Sequence, residues 1–114
     1  MKRALAAAIA FALPAVGAAE SAAQSAVPEA ATLFARKCGL CHAAGGTGAF
    51  MLGRRLGPER ALLTDRRDLA MPFVAAVVRQ GLGNMPRLTR VEVTDEELAT
   101  LAAWLSRPRE EPVP

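Results

Sequence analysis

The 114-residue chain has no tyrosine, one tryptophan, one histidine and two cysteines, and its four phenylalanines bring the aromatic share only to 4%. These scarcities exclude several classes of protein. Three Cys/His groups in all fall short of the four ligands that a structural zinc site wants. No stretch reaches the roughly 20 consecutive apolar residues of a comfortable membrane span, and there are no internal repeats. Charge of one sign is also lacking. The net +3 falls to +1 once Lys2 and Arg3 are set aside, which argues against nucleic acid as a partner, since that would want a strongly basic face. From Pro28 onward 87 residues remain. A domain of that size is near the lower limit for a self-sufficient core and often recruits a metal or a cross-link.

Both cysteines and the only histidine fall in one run, Cys38-Gly39-Leu40-Cys41-His42. The C-x-x-C-H spacing suits covalent haem attachment: each thiol adds to one vinyl group of the porphyrin, and the adjacent imidazole ligates the iron as proximal ligand. Other readings of the run are weaker. A redox dithiol expects a βαβ context, and no such strands are evident. A disulfide closing two intervening residues gains little unfolded-state entropy. A porphyrin would also supply the large apolar body that the aromatic-poor composition lacks. One such run means one covalent haem.

The N-terminus reads as an export signal. Met1-Lys2-Arg3 is a short basic region, Ala4–Val16 is apolar, and Gly17, Ala18 and Ala19 are the small residues of a cleavage site after Ala18 or Ala19. An uncleaved anchor is the alternative. This divides the chain into a signal segment at 1–19, a flexible linker at 20–27, a domain at 28–107 and a disordered tail at 108–114.

Within the domain the pattern is helical. Pro28 suits the first position of a helix running into the haem motif, with Ala30, Leu33, Phe34 and Lys37/Cys38 on one stripe. Gly45, Gly46 and Gly48 then break regular structure. Pro58–Leu63 has the makings of a short helix. Pro72 opens another that Gly81 closes, and Thr94-x-x-Glu97 is a capping box ahead of Leu98, Leu101, Ala102 and Leu105. Arg54, Arg55, Arg60, Arg66 and Arg67 crowd one stretch, and Glu92, Asp95, Glu96 and Glu97 another. Solvated surface is the default for both, and steering toward an acidic partner is the alternative.

Three methionines compete for the second axial position. Met85 lies in Gly83-Asn84-Met85-Pro86, where glycine and proline fix an extended loop able to turn a thioether inward. Met71 stands at a helix start and is expected in the core. Met51 is too near His42 to reach the opposite face of the haem and is expected to line it. Filled His42/Met85 ligation implies electron transfer rather than catalysis. The alternative left open is a five-coordinate haem sensor or peroxidase-like protein in which Met85 is not a ligand.

Taken together, Cys38-x-x-Cys41-His42, Met85-Pro86 about 43 residues later and an amphipathic C-terminal helix resemble a class I mono-haem cytochrome c over residues 28–107. The resemblance implies an all-α cytochrome c fold of three to five short helices around one haem c. It implies crossed first and last helices, with Phe34 packed on Leu101 and Trp104, and Ala30 at the crossing where many members have glycine. It also implies a periplasmic electron carrier, since such haem is attached outside the inner membrane. The family's proline after the histidine is replaced by Ala49 in Gly46-Thr47-Gly48-Ala49, and a carbonyl from this run is expected to orient the imidazole. Leu40, Leu52, Leu56, Leu82 and Leu88 are expected to surround the haem. The run Gly81-x-x-x-Met85-Pro86 is similar to the small cytochrome subunit of 4-cresol methylhydroxylase-type flavocytochromes. That similarity implies a dehydrogenase donor, such as a flavin enzyme oxidising alkylphenols, and an oxidase or cytochrome acceptor.

Overall fold

The computed structural model describes residues 17–108, with side-chain surroundings from Val27 onward. Those residues form five α-helices: α1 (Gly17–Lys37), α2 (Gly39–His42), α3 (Thr47–Leu56), α4 (Met71–Gln80) and α5 (Asp95–Ser106). Single 3-10 turns at Pro58–Arg60 and Leu63–Asp65 replace the short helix expected over Pro58–Leu63. Among the described residues there is no strand, and a lone bridge pairs Leu82 with Met85. No helix among them is long and apolar enough to cross a membrane. The expected signal segment and tail lie outside the described residues, except for residues 17–19 and Pro108.

Helix α1 departs from expectation at its start. It runs back to Gly17, so Pro28 lies inside it rather than at its first position, and residues 20–27, expected as a linker, belong to it. The stretch before Pro28 is rich in alanine, the best helix former, which outweighs the one backbone donor the proline lacks. The Thr32 hydroxyl donates to the Pro28 carbonyl at 2.9 Å, one turn on.

Three helices share the core. Leu33 and Phe34 of α1, Val74 and Val78 of α4, and Leu98, Leu101, Ala102 and Leu105 of α5 form one cluster with Leu69 and Val93. Ala30 is 2% exposed on the face of α1 that the small residue at the helix crossing predicts. The Phe34 and Trp104 rings lie 5.3 Å apart at 48°, a tilted pairing that adds about 0.5–1.5 kcal/mol beyond the area it buries. At the end of α1, Lys37 Nζ donates to the Glu92 carbonyl at 2.6 Å and lies 3.5 Å from Glu97 Oε2. Helix α5 starts on the predicted capping box: Thr94 Oγ1 accepts from the Glu97 N–H at 3.1 Å, and Glu97 Oε2 accepts from the Thr94 N–H at 2.9 Å.

The core stripe of α4 begins at Val74. Met71, expected in the core, is 47% exposed, because it stands on the open first turn ahead of the packed residues. Helix α2 buries no residue and α3 buries Ala49 alone.

Candidate functional site

The C-x-x-C-H run sits where α1 gives way to α2. The Cys38 N–H donates to the Phe34 carbonyl at 2.8 Å, so the first cysteine is tied to the last turn of α1 directly beyond the core aromatic. The His42 N–H then donates to the Cys38 carbonyl at 2.9 Å, which folds the run into one tight turn. Both cysteines are free thiols, Cys38 half-buried and Cys41 exposed. Burial pushes the Cys38 thiol up to about 11, with a further push from Cys41 and an opposing pull from Lys37. A redox dithiol needs the opposite, a thiol lowered toward neutrality so that it can attack as thiolate.

The imidazole of His42 is held against backbone. A side-chain carbon placed at Gly48 would meet its Cε1 at 3.0 Å and Nδ1 at 3.1 Å, so only glycine lets the start of α3 approach this closely. Burial lowers the His42 pKa, favouring the neutral ring that can ligate a metal. Nδ1 is buried with no hydrogen-bond partner. The carbonyl expected from Gly46–Ala49 does not supply one. Without a proline there the run winds into α3, and the Gly46 carbonyl is taken by the Phe50 N–H at 3.0 Å.

Met85 arrives from the other side of the domain, on the loop between α4 and α5. That loop is a tight turn rather than the expected extended one. Reciprocal bonds join the Leu82 N–H to the Met85 carbonyl at 3.1 Å and the Met85 N–H to the Leu82 carbonyl at 3.0 Å. Gly81 permits it twice over: its φ is +78°, and a side chain there would come within 2.7 Å of the Met85 carbonyl. Cys38 and Met85, both partly buried, pack against the same core cluster, so two elements 47 positions apart meet on one body. Arg55 of α3 reaches the turn itself, its Nη1 lying 3.7 Å from where a Gly83 side chain would start.

The exposed large apolar residues fall, in sequence, mostly on the helices that flank these two elements. Apart from Val27 and Val91, they are Leu40 on α2, Phe50, Met51 and Leu56 on α3, Met71 and Phe73 on α4, and Leu82 beside Met85. Leu40 is 92% exposed although it lies inside the motif. Leu52 is half-buried, while Leu88, expected in the same shell, packs on the protein core. Gly48, from the run expected to orient the imidazole, serves as its rest, while two residues of this region carry no sequence signal for a role at the site: Lys37 as a tie to α5, and Arg79, which holds the end of the Met85 loop. A basic residue in the last turn of a helix ordinarily reads as a partner for the helix dipole.

A helical domain with a C-x-x-C-H turn, two free thiols and a neutral half-buried histidine defines a cytochrome c domain. Residues 25–105 match the family described as cytochrome c oxidase, cbb3-type, subunit III, and the chain belongs to it. It is therefore a haem protein of the electron-transfer class. No curated protein and no solved structure matched the chain. The match gives no support to the more particular similarity to 4-cresol methylhydroxylase-type flavocytochromes. The Gly81-x-x-x-Met85-Pro86 run behind that similarity has a local cause, the backbone closure of the Met85 turn.

The chain fits the group its family implies. Two unbonded thiols stand three positions apart, an imidazole rests on glycine with a buried nitrogen still unpaired, and the helices next to them in sequence carry apolar side chains that the protein leaves exposed. Among the described residues no three His, Cys, Asp or Glu side chains come together as a metal site of their own.

Proposed function

We propose that the chain is a periplasmic electron carrier with a single haem c, bonded through Cys38 and Cys41 and ligated by His42 and Met85. When bound, the haem supplies a one-electron couple between ferric and ferrous iron. The protein supplies the rest. The α1–α2 junction presents both thiols on one turn, Gly48 and α3 orient the imidazole, and the Leu82–Met85 turn presents a thioether from the opposite chain segment. A soft neutral thioether raises the reduction potential by favouring the ferrous form, and the apolar residues of α2, α3 and α4 act in the same direction by excluding water. With both axial positions filled, no position is left for a substrate, which sets the electron carrier above a sensor or peroxidase-like protein.

The observation that carries this reading is the packing of Cys38 and Met85 against one core cluster. The electron donor proposed is a dehydrogenase, and the acceptor an oxidase or another cytochrome, in keeping with the oxidase named in the family's description. Alkylphenol oxidation by the donor rests on nothing beyond the Met85 loop and is not part of the proposal. Optical spectra of protein matured in the periplasm test the ligation. Haem that resists acid–acetone extraction, with a sulfur-to-iron charge-transfer band lost in Met85→Ala, is the expected result. Covalent haem without the band would favour the five-coordinate sensor, and colourless protein from competent cells would end the cytochrome reading.

A further inference from the structure

Arg79 belongs to α4, yet its guanidinium bonds to the far end of the Met85 loop and to α5. Nη1 donates to the carbonyls of Leu88 at 3.1 Å and Thr89 at 3.3 Å, while Nη2 donates to Asp95 Oδ1 at 2.8 Å. Asp95 is the first residue of α5, and its other oxygen accepts from Arg90 Nε at 2.7 Å. The Leu88 N–H completes the fastening by donating to the Val78 carbonyl at 2.8 Å. At the near end, Gly81 and the Leu82–Met85 bridge do the same work with backbone alone. Between the two fastenings lie only Pro86 and Arg87. The loop that carries the Met85 thioether is thus fixed at one end by a backbone turn and at the other by a guanidinium and one backbone bond.

We propose that Arg79 is a positioning residue for Met85, and that its grip, Nη1 on the Leu88 and Thr89 carbonyls and Nη2 on Asp95, decides how firmly the thioether is held at the iron. This rests on the reading of Met85 as axial ligand. A thioether is soft and uncharged, so its bond to the harder ferric ion is the weaker one. Slack in the loop therefore appears first in the oxidised protein. Lysine cannot replace the grip, because a compact ammonium does not span two carbonyls and a carboxylate as a planar fork does. The alternative is a purely structural tie between α4 and α5, in which Arg79 matters to stability and Met85 is indifferent to it.

The test compares haem-loaded wild type, Arg79→Gln, Arg79→Lys and Leu98→Ala. Leu98 is a buried core residue of α5 whose side chain makes no hydrogen bond to the loop, and it serves as a control for lost stability. Three quantities are read: the charge-transfer band of the oxidised form, the reduction potential, and the affinity of the oxidised form for imidazole, which displaces a loosely held methionine. Losing the three charge-assisted bonds of the guanidinium predicts imidazole affinity higher by about tenfold to a hundredfold in Arg79→Gln. The band weakens, the potential falls, and the reduced spectrum is unchanged. Arg79→Lys falls between, and Leu98→Ala leaves all three as in wild type. If Arg79→Gln does not accumulate, Asp95→Asn joins Arg79→Lys as the loosened variant. An unchanged band and imidazole affinity in the Arg79 variants, or equal changes in Leu98→Ala, would overturn the proposal while leaving the ligand assignment intact. A wild-type protein with no charge-transfer band would overturn the ligand assignment first and this inference with it.

Discussion

Helices α1, α4 and α5 bury their apolar faces on one another, whereas α2 and α3 leave theirs uncovered. Leu101 and Ala102 of α5 are 2% exposed; Phe50 of α3 is 63% exposed and Leu40 of α2 is 92% exposed. Hydropathy alone does not separate the two groups. The difference is that the apolar face of α5 packs into one cluster with α1 and α4, while Leu40 of α2 and Phe50 of α3 remain exposed. One part of the domain is held together by its own side chains, and on the proposed reading a haem on the C-x-x-C-H turn would cover the other. A porphyrin there would take the place of a layer of core that Leu40 and Phe50 lack.

That contrast is open to direct attack. Leu101→Ala should cost about 2–5 kcal/mol in urea unfolding of the loaded protein, the range for a large core truncation. Phe50→Ala should cost little in the haem-free chain and distinctly more in the loaded one; equal costs would mean that the α3 face is ordinary surface. Removing both attachment sulfurs as Cys38→Ser with Cys41→Ser should speed amide exchange in α3 by about a hundredfold while α5 stays protected, as expected of a region without its own core. Equal protection of the two helices would break the comparison.

Gly81→Ala tests the backbone fastening of the Met85 loop. The positive φ and the approach to the Met85 carbonyl predict a loss of about 1–3 kcal/mol, with a weakened charge-transfer band in the oxidised protein. The smallest effect belongs to the surface network below α3. There Asp68 pairs with Arg60 and with Arg66, whose Nη2 lies 2.8 Å from it. The Arg66 hydrogen bond chiefly, with help from Arg60, holds the Asp68 carboxyl well below the usual carboxylate range. A depressed folded-state pKa contributes stability that is complete above about pH 4 and is lost as pH falls toward the folded value. Because the carboxylate is 43% exposed, the expected contribution is under about 1 kcal/mol. Acid unfolding of Asp68→Asn should be correspondingly flatter below pH 4, and an identical acid limb would show that the pairing contributes nothing.

Much of this was legible in the chain itself. The Cys38-x-x-Cys41-His42 run pointed to a cytochrome c domain, as the family match bears out, because its three groups are neighbours in the chain. The Leu33 and Phe34 stripe and the Leu98, Leu101, Ala102 and Leu105 stripe followed from helical periodicity, the Phe34–Trp104 pairing from the family resemblance, and the Thr94–Glu97 capping box from two side chains three residues apart. Those are local relations, and local relations survive in a linear string. The start of α1 was misjudged for a related reason: a proline signals a boundary, but an alanine-rich stretch before it has enough helix propensity to carry the helix through.

What only the tertiary structure decided are the relations between segments far apart in sequence. The orphaned nitrogen of His42 depends on the Gly46 carbonyl being taken into α3, and the exposure of Met71 depends on where its neighbours stop. The grip of Arg79 on Leu88, Thr89 and Asp95 leaves no mark on composition or spacing, since an arginine ending a helix looks the same whether it meets water or holds a loop. Sequence set the spacing of the two thiols and the imidazole, because chemistry within a turn is set by adjacency. The fold decided which residues hold those atoms in place, because that depends on distances the chain acquires only on folding.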